Sequence, residues 1–152
     1  WLVSENDYQN LNEAFGGYVR FVRNYLSQAD LKKDYYDKAI AVSVLEHLDQ
    51  CECNELIKQV YSHLKYGGIF ILTIDLFLDC WPFTKEIYNE YGRNVNICSM
   101  LEDSGFSLEV GKPEDLFGYA EFKTLRILAN LPQYLCIDDR TLTQCLVLRK
   151  CE

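Results

Sequence analysis

The chain has 152 residues, of which 49% are hydrophobic, and its 15 Lys and Arg stand against 23 Asp and Glu. This length suits one domain with a buried core, so we expect a single domain over residues 1–152. The net charge of −8 repels phosphate backbones and anionic lipids. Composition therefore disfavours a nucleic-acid-binding or membrane-surface protein.

No apolar run in the sequence approaches the roughly 18 residues needed to cross a bilayer, and we expect no signal peptide. The sequence predicts a soluble, cytoplasmic protein. Its seven cysteines include no C-x-x-C pair and no His at zinc-finger spacing. Reduced thiols are the simple interpretation, and a disulfide scaffold or a structural zinc site is the alternative.

Three elements are predicted in the first thirty residues. The apolar triplet Trp1-Leu2-Val3 is typical of the middle of a strand, so we expect the sequence to begin inside a domain. Asp7 is placed to cap a short helix that runs to about Phe15, where Gly16-Gly17 ends it. Alternating apolar residues at 19–23 predict a further strand.

Two nearly continuous apolar runs, residues 38–44 and 68–74, predict strands that are buried on both faces. Between them, residues 52–65 form one apolar stripe at helical spacing, and Gly67-Gly68 ends this helix. A strand, a helix and a second buried strand make a βαβ unit, which implies a parallel sheet. The stripe consists of Leu56, Ile57, Val60, Tyr61 and Leu64.

The second half of the chain contains shorter elements. Residues 106–110 and 142–149 alternate as strands, and we expect them to pair antiparallel at the sheet edge. The connection between them, residues 111–140, is rich in aromatic residues and carries two prolines. Helices are predicted at 84–91, 95–103 and 121–129.

Two segments resemble the signatures of class I S-adenosylmethionine-dependent methyltransferases. Residues 37–48, DKAIAVSVLEHL, resemble the family's fourth strand, in which an acid opens an apolar strand that ends in a Glu-His pair. Residues 64–73, LKYGGIFILT, resemble the Leu-Lys-Pro-Gly-Gly turn before the fifth strand, with Tyr66 in place of the proline. Residues 1–4 and 19–23 are similarly placed to the second and third strands.

The resemblance implies an α/β fold with a three-layer Rossmann-like sheet, mostly parallel, with an antiparallel C-terminal strand. It also implies that the first strand and its glycine-rich cofactor loop are missing, because nothing in the chain matches them. In the family this strand lies between the second and the fourth. We therefore expect the isolated chain to bind cofactor weakly or not at all, unless an upstream segment or a second chain completes the sheet.

The cofactor that the resemblance implies is S-adenosylmethionine, bound at the carboxyl ends of the strands. Glu5 is the candidate for the ribose hydroxyls, since a carboxylate accepts two hydrogen bonds from a vicinal diol, and Asp7 is the reserve. Asn24 or Asp30 would bind the adenine amino group, although both also suit a solvated loop. The floor of the site would be formed by Ser43, Val44 and Leu45.

Glu46 and His47 are the most chemically reactive pair that the resemblance identifies. Some relatives use Glu-x-x-Glu-His to bind a divalent metal, but Ser43 replaces the first carboxylate here, so we expect no metal site. His47 could act as a general base toward a hydroxyl or amine, because imidazole exchanges protons near neutral pH. In the alternative, Glu46 caps the next helix and His47 packs in the cleft.

One acid and several aromatic residues follow the fifth strand, where the family holds its methyl acceptor. Asp75, Trp81 and Tyr88 are the candidates for binding the acceptor, whereas Phe77 and Phe83 suit core packing. The resemblance thus implies a methyltransferase that acts on a small molecule. The alternative is a non-catalytic methyltransferase-like interaction module, in which a partner fills the open slot of the sheet.

Overall fold

The computed structural model describes residues 4–134 and 140–152. The chain divides after Asp30 into two compact units, Trp1–Asp30 and Leu31–Glu152. The strand predicted at residues 1–4 lies outside the described residues, apart from Ser4. No helix in the described part is long and apolar enough to cross a membrane.

The first unit is built on helix α1 (Glu5–Phe15). Ser4 is its N-cap and accepts a hydrogen bond from the backbone of Asp7, whose carboxylate accepts one from the Ser4 backbone in return. The predicted cap at Asp7 is therefore wrong: Ser4 caps the helix, and Asp7 is its partner at the third helical position of the capping box. Gly16 ends the helix in the left-handed conformation, with φ of 60°, which glycine adopts without steric strain.

The strand predicted at 19–23 is wrong, because this segment has no strand partner among the described residues. The Asn12 side chain instead takes both backbone groups of Val19, donating to its carbonyl at 3.1 Å and accepting from its N–H. Tyr8 of α1 stacks on Phe21 with ring centroids 5.1 Å apart. The apolar alternation thus reflects contact with a helix.

The second unit combines strands with helices in an α/β arrangement. Its helices are α2 (Gln50–His63), α3 (Ile97–Leu101) and α4 (Thr124–Tyr134). Its strands are, in chain order, β1 (Tyr36–Val42), β2 (Leu64–Phe77), β3 (Tyr88–Asn89), β4 (Gly92–Arg93), β5 (Phe106–Val110) and β6 (Thr141–Lys150).

The main sheet has the order β1-β2-β6-β5. β1 pairs parallel with β2, and β6 runs antiparallel to both β2 and β5. Three strands therefore point the same way, and the C-terminal strand opposes them. This arrangement confirms the predicted Rossmann-like sheet, including the parallel βαβ unit and the antiparallel pairing of the last two strands.

One face of the sheet forms the core. Alternate side chains of β2 are buried from Phe70 to Leu76, and Leu146 and Leu148 of β6 continue the same face. Helix α2 contributes Cys53, Ile57 and Val60 to the buried set. β1 differs from the expectation of burial on both faces, because none of its residues is buried. Ile40 and Val42 are 68% and 63% exposed.

The helix predicted at 84–91 is wrong. This segment forms turns and the short antiparallel ladder of β3 with β4. Side chains take the backbone groups that a helix would need: the N–H of Glu86 donates to Thr84 Oγ1 at 3.1 Å, and the N–H of Gly92 donates to Asn89 Oδ1 at 3.0 Å. The other helices and strands predicted between residues 38 and 149 are confirmed, with shifted ends.

Residues 37–48 and 64–73, the two segments that resemble the methyltransferase signatures, contact each other where β1 and β2 begin. Lys65 Nζ donates to Asp37 Oδ1 at 2.7 Å, and this hydrogen bond lowers the pKa of Asp37. Gly67 has φ of 73°, and a Cβ on Gly68 would lie 2.7 Å from the Lys65 carbonyl oxygen. Both positions therefore require glycine. They lie inside β2, whereas the sequence predicts that they end the helix, which stops at His63.

Lys150, the last residue of β6, ties three elements together at the same edge. Its side chain is buried, and Nζ donates to the carbonyls of Tyr61 and Leu64 at 2.9 and 2.8 Å. Nζ also donates to Asp34 Oδ1 at 2.6 Å. The end of α2, the start of β2 and the loop before β1 thus share one cation.

We predict that Lys150→Met lowers the free energy of unfolding by about 1–3 kcal/mol, because the carbonyls of Tyr61 and Leu64 lose their donor. Urea denaturation measures this loss. Lys65→Met is the matched control and should cost much less, since Lys65 and Asp37 are both solvent-exposed. Equal effects of the two substitutions would contradict this account of the Lys150 contacts.

Candidate functional site

β1 and β2 end side by side, as parallel neighbours must. Val42 pairs with Thr73, and the N–H of Ser43 donates to both the carbonyl oxygen and Oγ1 of Thr73 at 3.1 Å. Ser43 has φ of 48°, a left-handed conformation that is uncommon for residues other than glycine. The chain therefore turns sharply away from β1, which leaves Ser43 and Val44 exposed at the sheet edge.

A single 3-10 turn, Leu45–His47, follows this point. Leu45 is fully buried, and its carbonyl accepts a hydrogen bond from Cys53 Sγ at 3.2 Å. Burial raises the pKa of the Cys53 thiol to about 11, so it keeps the proton that it donates. The turn is thereby attached to α2.

Helix α2 is capped by Asp49, which accepts from the N–H of Glu52 at 2.8 Å, while Glu52 Oε2 accepts from the N–H of Asp49 at 2.9 Å. The alternative in which Glu46 caps the helix is therefore wrong. His47 does not pack in a cleft either, because its side chain is 56% exposed.

Glu46 is the most unusual residue at this edge. It is 1% exposed, and neither carboxylate oxygen has a hydrogen-bond partner among the described residues. Burial raises its pKa, and the negative charge of Asp75 adds to this effect. The backbone amides of Glu46 and Asp75 and the His47 imidazole lower the pKa of Glu46, but by less than burial raises it. Neither amide forms a hydrogen bond with the carboxylate.

The structure brings Glu46, His47 and Asp75 to the same edge of the sheet. His47 Nε2 lies 3.9 Å from Glu46 Oε1. Asp75 is half-buried on β2 and accepts a hydrogen bond from Thr143 Oγ1 of β6 at 3.1 Å. Glu46 and His47 follow β1, whereas Asp75 lies inside β2 and not after it, where the sequence predicts it. Two carboxyls and one imidazole thus lie near the ends of β1 and β2, where they can bind polar groups or exchange protons.

The two aromatic candidates for acceptor binding lie in the loop after β2. Trp81 and Tyr88 are both exposed. Asn94 fixes the backbone of this loop, since it accepts from the Phe77 N–H at 2.6 Å and donates to the Trp81 carbonyl at 2.6 Å. Sequence reasoning missed Asn94, because no local pattern marks an asparagine that bridges 13 residues. Phe77 is buried, as predicted for core packing.

The remaining cofactor candidates belong to the first unit. Glu5 is the first residue of α1, and its side chain lies outside the described part. Asn24 accepts from the Tyr25 N–H at 2.9 Å and donates to the Gln28 carbonyl at 3.2 Å, so a local turn uses both ends of its amide.

The described residues contain no group of three or more His, Cys, Asp and Glu that could hold a metal ion. Six cysteines in the same part of the chain are free thiols: Cys51, Cys53, Cys80, Cys98, Cys145 and Cys151.

The buried carboxyl of Glu46 predicts a pH-dependent loss of stability. The pKa of Glu46 in the folded state is raised above the ordinary value of 4.5. Protonation of Glu46 therefore stabilises the native state below pH 4.5, and this stabilisation is lost as the pH rises through the raised pKa. Glu46→Gln should therefore raise the unfolding free energy at pH 7, on the order of 1 kcal/mol, and have little such effect at pH 4.

Urea denaturation at the two pH values measures the effect. Glu109→Gln is the control with the opposite sign, because the hydrogen bond from Arg149 lowers the pKa of Glu109. That variant should lose stability at pH 7 relative to pH 4. A Glu46→Gln variant that is no more stable than the parent chain at pH 7 would contradict the assignment of a buried, unpaired carboxyl.

No protein-family model and no curated protein matches the chain. Solved structures match nearly its whole length. The [4+2]-cyclase SpnF has a TM-score of 0.60 at 16% identity, covering 98% of this chain and 65% of its own. The 1,6-didemethyltoxoflavin-N1-methyltransferase of Burkholderia thailandensis, solved with S-adenosylhomocysteine, has a TM-score of 0.60 at 18% identity, covering 99% and 59%.

Geranyl diphosphate C-methyltransferase of Streptomyces coelicolor has a TM-score of 0.60 at 13% identity, covering 95% of this chain and 59% of its own. The chain therefore spans 59 to 65% of the length of these three proteins. At such identities the similarity concerns the fold. The chain has the Rossmann-like fold of the class I S-adenosylmethionine-dependent methyltransferases.

Proposed function

We propose that this chain is part of an S-adenosylmethionine-dependent methyltransferase that acts on a small molecule. The observation that carries the proposal is the parallel end of β1 and β2, where Ser43 turns off the sheet beside the Glu46, His47 and Asp75 side chains. Two proteins of the same fold support the proposal. One was solved with S-adenosylhomocysteine and didemethyltoxoflavin, and the other with S-adenosylhomocysteine and geranyl diphosphate. We also propose a cytoplasmic location.

The residues at this edge fit a cofactor with several hydrogen-bond donors. Ser43 and Val44 would lie along it, with the exposed backbone turn at Ser43 as the point of approach, while the fully buried Leu45 would anchor the turn beneath them. The unpartnered Glu46 carboxyl can accept hydrogen bonds from an amino or hydroxyl group. For Glu5 and Asn24, which belong to the first unit, binding of the ribose hydroxyls and the adenine stays a prediction from the sequence.

S-adenosylmethionine, when bound, supplies an electrophilic methyl group, so the protein has to align the acceptor and remove its proton. His47 is exposed at the edge and can accept that proton. Glu46 would act as a positioning residue, because its Oε1 lies 3.9 Å from His47 Nε2. Asp75 would hold a donor group of the acceptor, and Trp81 and Tyr88 would offer it apolar faces.

One observation favours a second candidate function, a methyltransferase-like interaction module. β1 is an edge strand of the sheet, and its Ile40 and Val42 side chains are exposed. An upstream segment or a second chain that adds a strand beside β1 would cover them. The fold alone does not decide between the two, because a [4+2]-cyclase has it as well.

Calorimetric titration with S-adenosylhomocysteine tests the proposal. We expect weak binding by the chain itself and clear binding by a longer form of the protein that adds a strand and a glycine-rich loop next to β1. Val44→Asp, which places a charge at the turn, should weaken binding by both forms. No binding at millimolar ligand by either form would overturn the methyltransferase proposal and favour the interaction module.

His47→Gln tests the proposed base. We expect the rate of methyl transfer, followed as release of S-adenosylhomocysteine, to fall by about 10²–10⁴. The pH-rate profile should lose the limb that reports the base, and S-adenosylhomocysteine affinity should stay unchanged. The control is His63→Gln, at the end of α2, where His63 Nδ1 lies 3.2 Å from the Lys32 carbonyl. Equal rates for the two variants would exclude His47 as the base.

A further inference from the structure

The second unit contains a cavity of about 640 Å³ between β6, the end of β5 and helix α4. This volume lies within the range of about 300–1,000 Å³ that small-molecule sites occupy. One part of its wall is apolar and consists of Leu76, Leu116, Ile127 and Leu142. The first three of these are buried, so the cavity reaches into the core.

Gln144 is the buried polar residue of the wall, at 5% exposure. Its Oε1 accepts a hydrogen bond from the Phe117 N–H at 2.8 Å. If the amide oxygen and nitrogen of Gln144 were exchanged, its NH2 group would face the Phe117 N–H, and two donors would meet. This contact therefore fixes the orientation of the Gln144 amide. Nε2 is left as a buried donor with no partner among the described residues. A hydrogen-bond acceptor in the cavity would satisfy it.

Two basic side chains and one acid also line the cavity. Arg126 Nη2 donates to Asp115 Oδ1 at 2.7 Å, which orients the guanidinium beside the cavity. Lys112 is exposed and forms no ion pair in the described part of the chain. The lining is thus more basic than the chain as a whole, whose net charge is −8. The free donors of this wall favour an anionic acceptor.

We propose that this cavity binds an amphipathic carboxylate. Its apolar body lies against Leu76, Leu116 and Ile127, and its carboxylate accepts hydrogen bonds from Gln144 Nε2 and Lys112. Thr143, the neighbour of Gln144 on β6, lines the cavity and also bonds Asp75. The inference stands apart from the proposed function, because binding requires neither S-adenosylmethionine nor methyl transfer.

Decanoate is the probe, and decan-1-ol is the neutral probe with the same apolar body. In calorimetric titration of the chain, we expect decanoate to bind at least about tenfold more tightly than the alcohol, since a hydrogen bond to a charged group is worth that much. Gln144→Met removes the donor at similar volume and should weaken decanoate about tenfold. Gln9→Met, on the exposed face of α1, is the control and should change nothing.

Side-chain amide signals in a nitrogen-15 NMR spectrum test the site independently of variant folding. Decanoate should shift the Gln144 amide signals and leave those of Gln9 in place. Ile127→Trp, which narrows the apolar part of the cavity, should weaken binding. The proposal is overturned if decanoate does not bind, if the alcohol binds as well as decanoate, or if the Gln144 signals stay unmoved at saturation.

Discussion

The parallel pairing of β1 with β2 determines where the candidate residues of the second unit lie. Val42 opposite Thr73 sets the Ser43 turn beside the end of β2, and β6 on the other side brings Thr143 to Asp75. A slip of one residue would move every side chain of a strand to the opposite face. The buried row on β2 therefore fixes the register, and through it the geometry of the proposed site.

The two ends of the sheet, one where β1 and β2 begin and the other where they stop, differ in how their polar groups are satisfied. At the edge where β2 and β5 begin, the Lys150 ammonium has three hydrogen-bond acceptors. The buried side-chain atoms that lack partners in the described part belong to Glu46, Arg93 and Gln144, which follow the ends of the parallel strands or face them from β6. The Lys150 contacts thus satisfy one end of the sheet, whereas Glu46 and Gln144 lie where ligands are proposed to bind.

Sequence reasoning succeeded where one element determines its own pattern. The apolar runs of β1 and β2 and the stripe of α2 predict the βαβ unit, because burial imposes their periodicity. The segments at 19–23 and 84–91 were misassigned because Asn12, Thr84 and Asn89 bind backbone groups through their side chains. The spacing of apolar residues along the sequence does not reveal such hydrogen bonds. The positions of His47 and Asp75 follow from the strand ends, whereas the isolation of Glu46 and the cavity at Gln144 depend on contacts between distant segments.

The account rests on the ends of β1 and β2 forming one binding edge. A crystal structure of the protein with S-adenosylhomocysteine tests this most directly. The account predicts ligand density along Ser43 and Val44, with the Glu46 carboxyl accepting a hydrogen bond from the ligand. Density at the opposite edge of the sheet, or β1 antiparallel to β2, would contradict it.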